Sequence, residues 1–218
     1  MEDIFMTTET YGMWDQYKWQ LSTKFPALLE QLAPGADEEA IQRAEAEMGI
    51  SLPESLKNVY RKNNGEKDSF ICGVLLGFSL YSLDQMVQAW KDWQAVKKSL
   101  SEEDLKDIEE FNTSVPEGHI KKDYINAKWI PICDDAGGNH IGVDLDPDTE
   151  GKVGQIITFG RDEQEKIVVA EDLDAFFLRM CGIVASNHFA IEDDEGNKVI
   201  ILNDYAHLID YLKDEEAV

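Results

Sequence analysis

An α+β fold, with a mainly antiparallel sheet flanked by helices, is what the order of patterns along this chain predicts. Helical periodicity dominates the first half. Four short apolar segments then follow between Trp129 and Ala170, separated by turn residues. Links of hairpin length join antiparallel neighbours, because parallel strands need long crossovers. An amphipathic stretch after the strands, Leu173, Phe176, Phe177, Met180 and Ile183, supplies a helix to cover the sheet. Helices, then strands, then helices is the α+β order.

Taken from the start, Trp14, Tyr17, Trp19, Leu21 and Phe25 give the first thirty residues enough aromatic surface to pack on the body. Asp37 is a helix cap with Glu38 and Glu39 in the first turn, where the helix dipole favours negative charge. Ile41, Ala44 and Met48 recur at helical spacing, and Gly49 is placed to end that helix in a left-handed turn. Pro53 opens a second helix with Leu56, Val59 and Tyr60 as its buried stripe, stopped by Asn63-Asn64-Gly65. Phe70–Leu80 is apolar and of strand length. Ser82 and Gln85 form a capping-box pattern ahead of a helix carrying Met86, Trp90 and Trp93 on one face. Ser101 caps an acidic helix with Leu105, Ile108 and Phe111 inward, and Asn112–Asp123 reads as a loop around Pro116 and Gly118. Strands are expected at Trp129–Cys133, His140–Leu145, Gln155–Phe159 and Lys166–Ala170. A hairpin of His188–Glu192 with Lys198–Leu202 follows, then a terminal helix with Tyr205, Leu208, Ile209 and Leu212.

Composition bounds the function. The 218 residues carry 44 acidic and 20 basic side chains, a net charge of −24. Such a surface repels nucleic-acid phosphate and anionic membranes and steers cationic partners toward it. No apolar stretch approaches the ~20 residues that span a bilayer. The first residues, MEDIFMTTET, lack the basic start and apolar run of a secretory signal, so a cytoplasmic protein is expected. Cys72, Cys133 and Cys181 are far apart, with no zinc or redox spacing.

Three constellations carry possible chemistry. Alternation puts His140, Asp144 and Asp146 on one strand face, opposite Ile141, Val143 and Leu145; a histidine with two carboxylates could hold a divalent metal, or simply be the wet face of a half-buried strand. Asp144, Asp146 and Asp148 start like a calcium loop, but Thr149 takes the glycine position and Gln155 the closing glutamate position. Asp134-Asp135 could be an acid–base pair, yet with Gly137-Gly138 following they read better as turn formers bonding local backbone. Cys133 with His140 or His188 as a nucleophile–base pair is weaker than a small buried thiol. No Gly-x-Ser-x-Gly, phosphate loop or dinucleotide fingerprint occurs. Trp90, Trp93 and Trp129 read as core, although an aromatic groove beside acidic turns would suit protein docking.

Four segments in order carry a family resemblance. PGADEEAIQRAEAEMGISLPESLKNVYRKNNG resembles the N-terminal signature of the SUKH superfamily, with its Leu52-Pro53 link and Asn64-Gly65 close. YSLDQMVQAWKDW is similar to that family's helix of spaced tryptophans, and WIPICDDAGGNHIGVDLDP with GKVGQIITFG resembles its central hairpin. The resemblance spans residues 30 to 180, with Ser99–Asp123 longer than the usual link and a hairpin-plus-helix extension over 182–218. It implies one SUKH-like domain over 1–218, an antiparallel sheet flanked by helices, no enzyme activity and no cofactor. Bacterial members resemble immunity proteins that neutralise toxins, often nucleases; fungal relatives resemble regulators of cell-wall assembly. The first expectation is therefore a non-catalytic immunity protein against a cationic toxin, with Asp134, Asp135, Asp146 and Asp148 as the contact residues. A regulatory scaffold unrelated to toxins comes second, and a metal-dependent hydrolase using His140, Asp144 and Asp146 third.

Overall fold

A computed structural model of the chain describes residues 12–67, 73–186, 188–194, 197–203, 205 and 207–216. It opens with α1 (Met13–Lys24) and the single turn α2 (Pro26–Leu29). Trp14, Tyr17 and Leu21 are buried as their spacing requires, but Trp19 falls on the outer face and is 62% exposed. The expected helical pair is α3 (Glu38–Met48) and α4 (Glu54–Lys62). Asp37 accepts from the Ala40 amide at 2.8 Å, and Gly49 closes α3 at φ 68°. Arg61 on α4 ties the pair together through Glu38.

From Gly73 on, the apolar run before Ser82 is not the strand its composition suggests. Residues 68–72 lie outside the described part. From Gly73 the chain makes tight turns with bridges Gly73–Gly77 and Leu75–Phe78, Leu76 takes φ 53°, and only β1 (Ser79–Leu80) joins the sheet. A Cβ on Gly73 would sit 2.1 Å from the Phe78 carbonyl oxygen, so the turn closes only on glycine. The run is apolar because Val74, Leu75, Leu76 and Phe78 are buried, not because it is extended.

The capping box at Ser82 and Gln85 starts α5 (Leu83–Ser99), and Ser101 with Asp104 starts α6 (Glu102–Glu110). The inward stripe expected on α6 is weak: Leu105 and Ile108 are only half-buried, no α6 residue is fully buried, and Phe111 at its end is 67% exposed. Six carboxylates in nine residues leave two apolar side chains, too little area to seat a helix in a core. The stretch expected as a loop contains β2 (Thr113–Val115). Three residues are too short to show alternation, and their partner lies fifty residues on.

The four expected strands are β3 (Trp129–Asp134), β4 (Asn139–Asp144), β5 (Gln155–Gly160) and β6 (Glu165–Ala170). The sheet runs β1-β3-β4-β5-β6-β2, antiparallel throughout except for the parallel β2–β6 edge. Behind it lies α7 (Leu173–Ala185), with every expected stripe residue buried. Trp14 and Tyr17 of α1 pack on Phe177 at centroid distances of 5.1 and 5.9 Å. The extension forms the hairpin β7 (Phe189–Asp194) and β8 (Asn197–Leu202) and then α8 (Leu208–Glu216). Ile200, Leu202, Leu208, Ile209 and Leu212 share one continuous apolar core with α1, α7 and the sheet.

Both sheet faces are covered. Ile130, Ile132, Ile141, Val143, Ile156, Ile167 and Val169 point into the main core. On the other face, Trp129, Ile157 and Phe159 pack with Ile120 from the long link before β3. That second layer overturns the expectation of a wet face on β4: all six of its residues are buried, His140 to 4% and Asp144 completely.

Candidate partner-binding groove

A groove of about 440 Å³ opens between α5 and the β3–β4 turn, at one end of the sheet. Each wall has its own origin. The helical spacing of α5 puts Trp93 and Val96 on one side, the residue before the Ser82 cap supplies Tyr81, and the link before β3 supplies Tyr124. Gly137-Gly138 and Asp134 form the opposite wall, and Arg161, following β5, closes one corner. Val96 is 41% exposed and Trp93 half-buried, so this is an apolar lip open to solvent.

His140 forms the floor. The Trp93 indole N–H, which can only donate, points at His140 Nε2 from 2.8 Å. Nε2 therefore carries the lone pair, and the Nδ1 proton faces the Cys133 carbonyl at 3.3 Å, with the Tyr81 hydroxyl at 3.5 Å. Burial pulls this imidazole down to about 4, so it is neutral at physiological pH. Both nitrogens are committed. The Cys133 thiol is buried, raised by burial, and points to the Ile141 carbonyl at 3.7 Å; His140 meets the backbone of Cys133 and not its sulfur. His188 sits far off in the extension, 3.3 Å from the Tyr211 hydroxyl.

The two adjacent acids of the β3–β4 turn diverge, as expected of neighbours at a strand end. Asp135 turns inward: it accepts from the Gly137 and Asn139 amides at 2.7 and 3.0 Å and from the Asn139 side chain at 2.8 Å. His207, ahead of α8, meets its other oxygen at 3.1 Å. Although burial opposes it, these bonds hold the carboxyl far below the usual range. Asp135→Ala is expected to lower stability by about 2 kcal/mol, since two amides and the α8 tether lose their acceptor; urea unfolding measures this. Asp134 instead faces the groove. Burial and the neighbouring Asp135 charge raise its carboxyl, which the Tyr81 hydroxyl partly offsets by a hydrogen bond.

Asp146 and Asp148 lie beyond the other end of β4, ~20 Å away along a six-residue strand. Asp146 binds Lys121 at 2.6 Å and the Asn126 amide at 3.0 Å, while Asp148 accepts from the Thr149 amide at 2.8 Å. The four acids expected as partner contacts lie in two turns at opposite ends of β4, and Asp134 alone among them lines the groove. Nor do His140, Asp144 and Asp146 converge. Asp144 is raised to about 6 by burial and accepts from the Asp146 amide and from Gln155 at 2.9 Å each. No group of three metal-ligating side chains occurs among the described residues. Of the tryptophans, Trp129 is core, Trp90 donates to the Ala127 carbonyl at 2.9 Å, and Trp93 serves the groove. Tyr81, Tyr124 and Arg161 carry no sequence signal of a shared site, because each comes from a different loop and follows no period.

No helix among the described residues is long and apolar enough to cross a membrane. In comparison with known proteins, the chain is 29% identical over 86% of its length to the cell wall assembly regulator SMI1 of Saccharomyces cerevisiae, covering 43% of that protein. It is 27% identical over 83% of its length to a glucan synthesis regulatory protein of Neurospora crassa, covering 39%. The cell wall biosynthesis/cell cycle regulator smi1 of Schizosaccharomyces pombe is 27% identical over 78% of the chain, covering 35%. The chain thus spans less than half the length of these relatives. Residues 35–179, from just ahead of the α3 cap to α7, match the SMI1/KNR4 family (SUKH-1). With two thirds of its length in that match, the chain belongs to the SMI1/KNR4 family.

Proposed function

We propose that this chain is a non-catalytic regulatory domain of cell-wall assembly that works in the cytoplasm by binding another protein. The observation that carries the reading is the groove itself. It offers aromatic and apolar surface, while the histidine on its floor is held neutral with both nitrogens bonded. Such a site can seat a partner, and its histidine, with both nitrogens bonded, is not offered to a substrate as a base or nucleophile. The names of the related proteins, regulators of wall assembly and of glucan synthesis, supply the process.

Toxin neutralisation is the second reading, favoured by the charge of −24, which would complement a cationic toxin. Deleting the gene in its own host separates the two. The regulatory reading expects altered wall glucan and reduced resistance to wall stress. Unchanged glucan and resistance, with a toxin co-purifying with the chain, would overturn it in favour of immunity.

A further inference from the structure

We propose that the groove between α5 and the β3–β4 turn binds an extended peptide through one arginine side chain, whose guanidinium stacks on Trp93 and pairs with Asp134. The proposal rests on the protein-binding reading above and names the chemistry of the partner.

Three observations converge on a guanidinium. The first is the aromatic lining: Trp93 and Tyr124 meet edge to face at 5.7 Å, with Tyr81 across the floor. A planar cation gains from aromatic faces, and an arginine stem also covers the apolar lip formed by Val96. The second is Asp134. It is half-buried in the groove wall, takes hydrogen bonds from the Tyr81 hydroxyl and the Ala136 amide, and has no cationic partner among the described residues. A partly desolvated carboxylate bonded only to neutral donors is what a charge-assisted guanidinium pair completes. Several surface acids already have their cations, as Asp15 has Lys62, Glu38 has Arg61, Glu47 has Lys91 and Asp146 has Lys121; what sets Asp134 apart from the remaining acids is its half-burial in an aromatic groove. The third is the balance of charge at the mouth. Asp92 is exposed on the α5 side, and Arg161 is the single cation in the lining. Its nearest acid, Asp162, is 3.9 Å away, so its charge is weakly held and opposes an incoming cation.

A lysine fits less well. Its ammonium is a strongly hydrated point charge and cannot pair two oxygens while lying flat on the indole. An acidic segment would meet Asp92 and Asp134 with only Arg161 in its favour.

The test uses the whole chain and a fluorescein-labelled peptide alternating Arg and Ser, read by anisotropy at physiological salt, with a Lys–Ser peptide alongside. A surface this acidic attracts any cation, so a charge-matched control is needed. Asp107, exposed on α6 and outside the groove, supplies it. Asp134→Asn is expected to weaken Arg–Ser binding ~10-fold, the scale of one charge-assisted pair. Arg161→Glu should tighten it several-fold, and Asp107→Asn should change it less than ~2-fold. The Trp93 indole N–H resonance should move on titration. Equal losses for Asp107→Asn and Asp134→Asn, an unmoved Trp93 resonance, or Lys–Ser binding as tight as Arg–Ser would each overturn the assignment. A wall phenotype on gene deletion together with any of those results would discard the arginine groove and leave the regulatory reading standing.

Discussion

Gly142→Val is expected to destabilise the protein by at least ~3 kcal/mol, and so to leave little folded material at ambient temperature. Gly142 sits in the middle of β4, opposite Pro131 of β3 and Ile157 of β5. A Cβ there would lie 2.2 Å from the Ile130 carbonyl oxygen and 2.9 Å from the Phe159 ring. The first obstacle is backbone, which no rotamer change removes. It is fixed on both sides, because β3 carries a register shift between Pro131 and Cys133 and the Ile132 carbonyl is already held by the Tyr81 amide at 3.0 Å. That irregularity also explains a proline inside a six-stranded sheet, where a missing N–H is tolerated at a bulge. Gly182→Ala is the matched control. Nothing lies within 4 Å of a Cβ on Gly182 in α7, and alanine there should stabilise by about 0.5–1 kcal/mol. Urea midpoints of the two variants against the parent decide the matter; a Gly142→Val protein unfolding at the parental midpoint would refute the close-approach argument.

Gly142 also shows where the sequence stops being legible. Short-range signals read well. The Asp37 cap, the Ser82 box, the Gly49 stop and the α7 stripe are set by contacts within four residues, and all are found as the sequence indicates. Alternation in β4 also sorts its side chains correctly between two faces. What it cannot say is what covers each face. His140 and Asp144 look solvated because polar residues at every second position are the mark of a wet surface. Here Ile120, Trp129 and Phe159 close over that face from the link before β3 and from neighbouring strands. Lys166 is the extreme case: it is 1% exposed, its ammonium 5.8 Å from the Trp129 ring centre, and burial pulls it down to about 8. Nothing in EKIVVA separates that lysine from an ordinary surface one.

The groove divides along the same line. Trp93 and Asp134 were visible as an aromatic stripe and an acidic turn. That they share one wall space depends on α5 lying beside the β3–β4 turn, a contact between residues forty apart. The pairing of Asp135 with His207 is longer still, and it makes the extension part of the end of the sheet that carries the groove. Distance along the chain, more than chemical type, decides which of these features the sequence reveals.

Acidification from pH 7.5 to about 5 is expected to stabilise this protein, contrary to the usual behaviour of salt-bridged carboxylates. Burial pushes Glu66 up to about 7 and Asp144 up to about 6. Their values are higher folded than unfolded, so between those values and the ordinary carboxylate range the folded chain binds protons that the unfolded chain does not. Stability therefore rises as pH falls through that window. His207 acts in the same direction. The Asp135 carboxylate raises its imidazole, so its contribution is present below the ordinary histidine value and lost as pH climbs through the raised one. His140 opposes: held at about 4, it costs stability as pH falls from 6.5 toward 4. At about 1.4 kcal/mol per pK unit, by pH 5 Glu66 has supplied roughly 3 kcal/mol and Asp144 roughly 1 kcal/mol, while His140 has removed roughly 2 kcal/mol. The net gain at pH 5 is on the order of 2 kcal/mol before His207 and the raised carboxyls of Asp134 and Glu163 add to it in the same direction. Glu66→Gln isolates the largest share. One Glu66 oxygen accepts from the Val74 and Leu80 amides at 3.0 and 2.6 Å, a role the glutamine carbonyl keeps, while the other has no hydrogen-bond partner among the described residues. Removing that buried charge should raise stability at pH 8 by about 2–3 kcal/mol and flatten the profile between pH 7 and 4.5. Melting temperature against pH for parent and variant is the measurement. A parental melting temperature that falls steadily from pH 7.5 to 5, or a Glu66→Gln profile parallel to the parent's, would mean that the carboxyl at the β1 turn is solvated and not, as its surroundings imply, held proton-hungry beside the strand that carries Asp134.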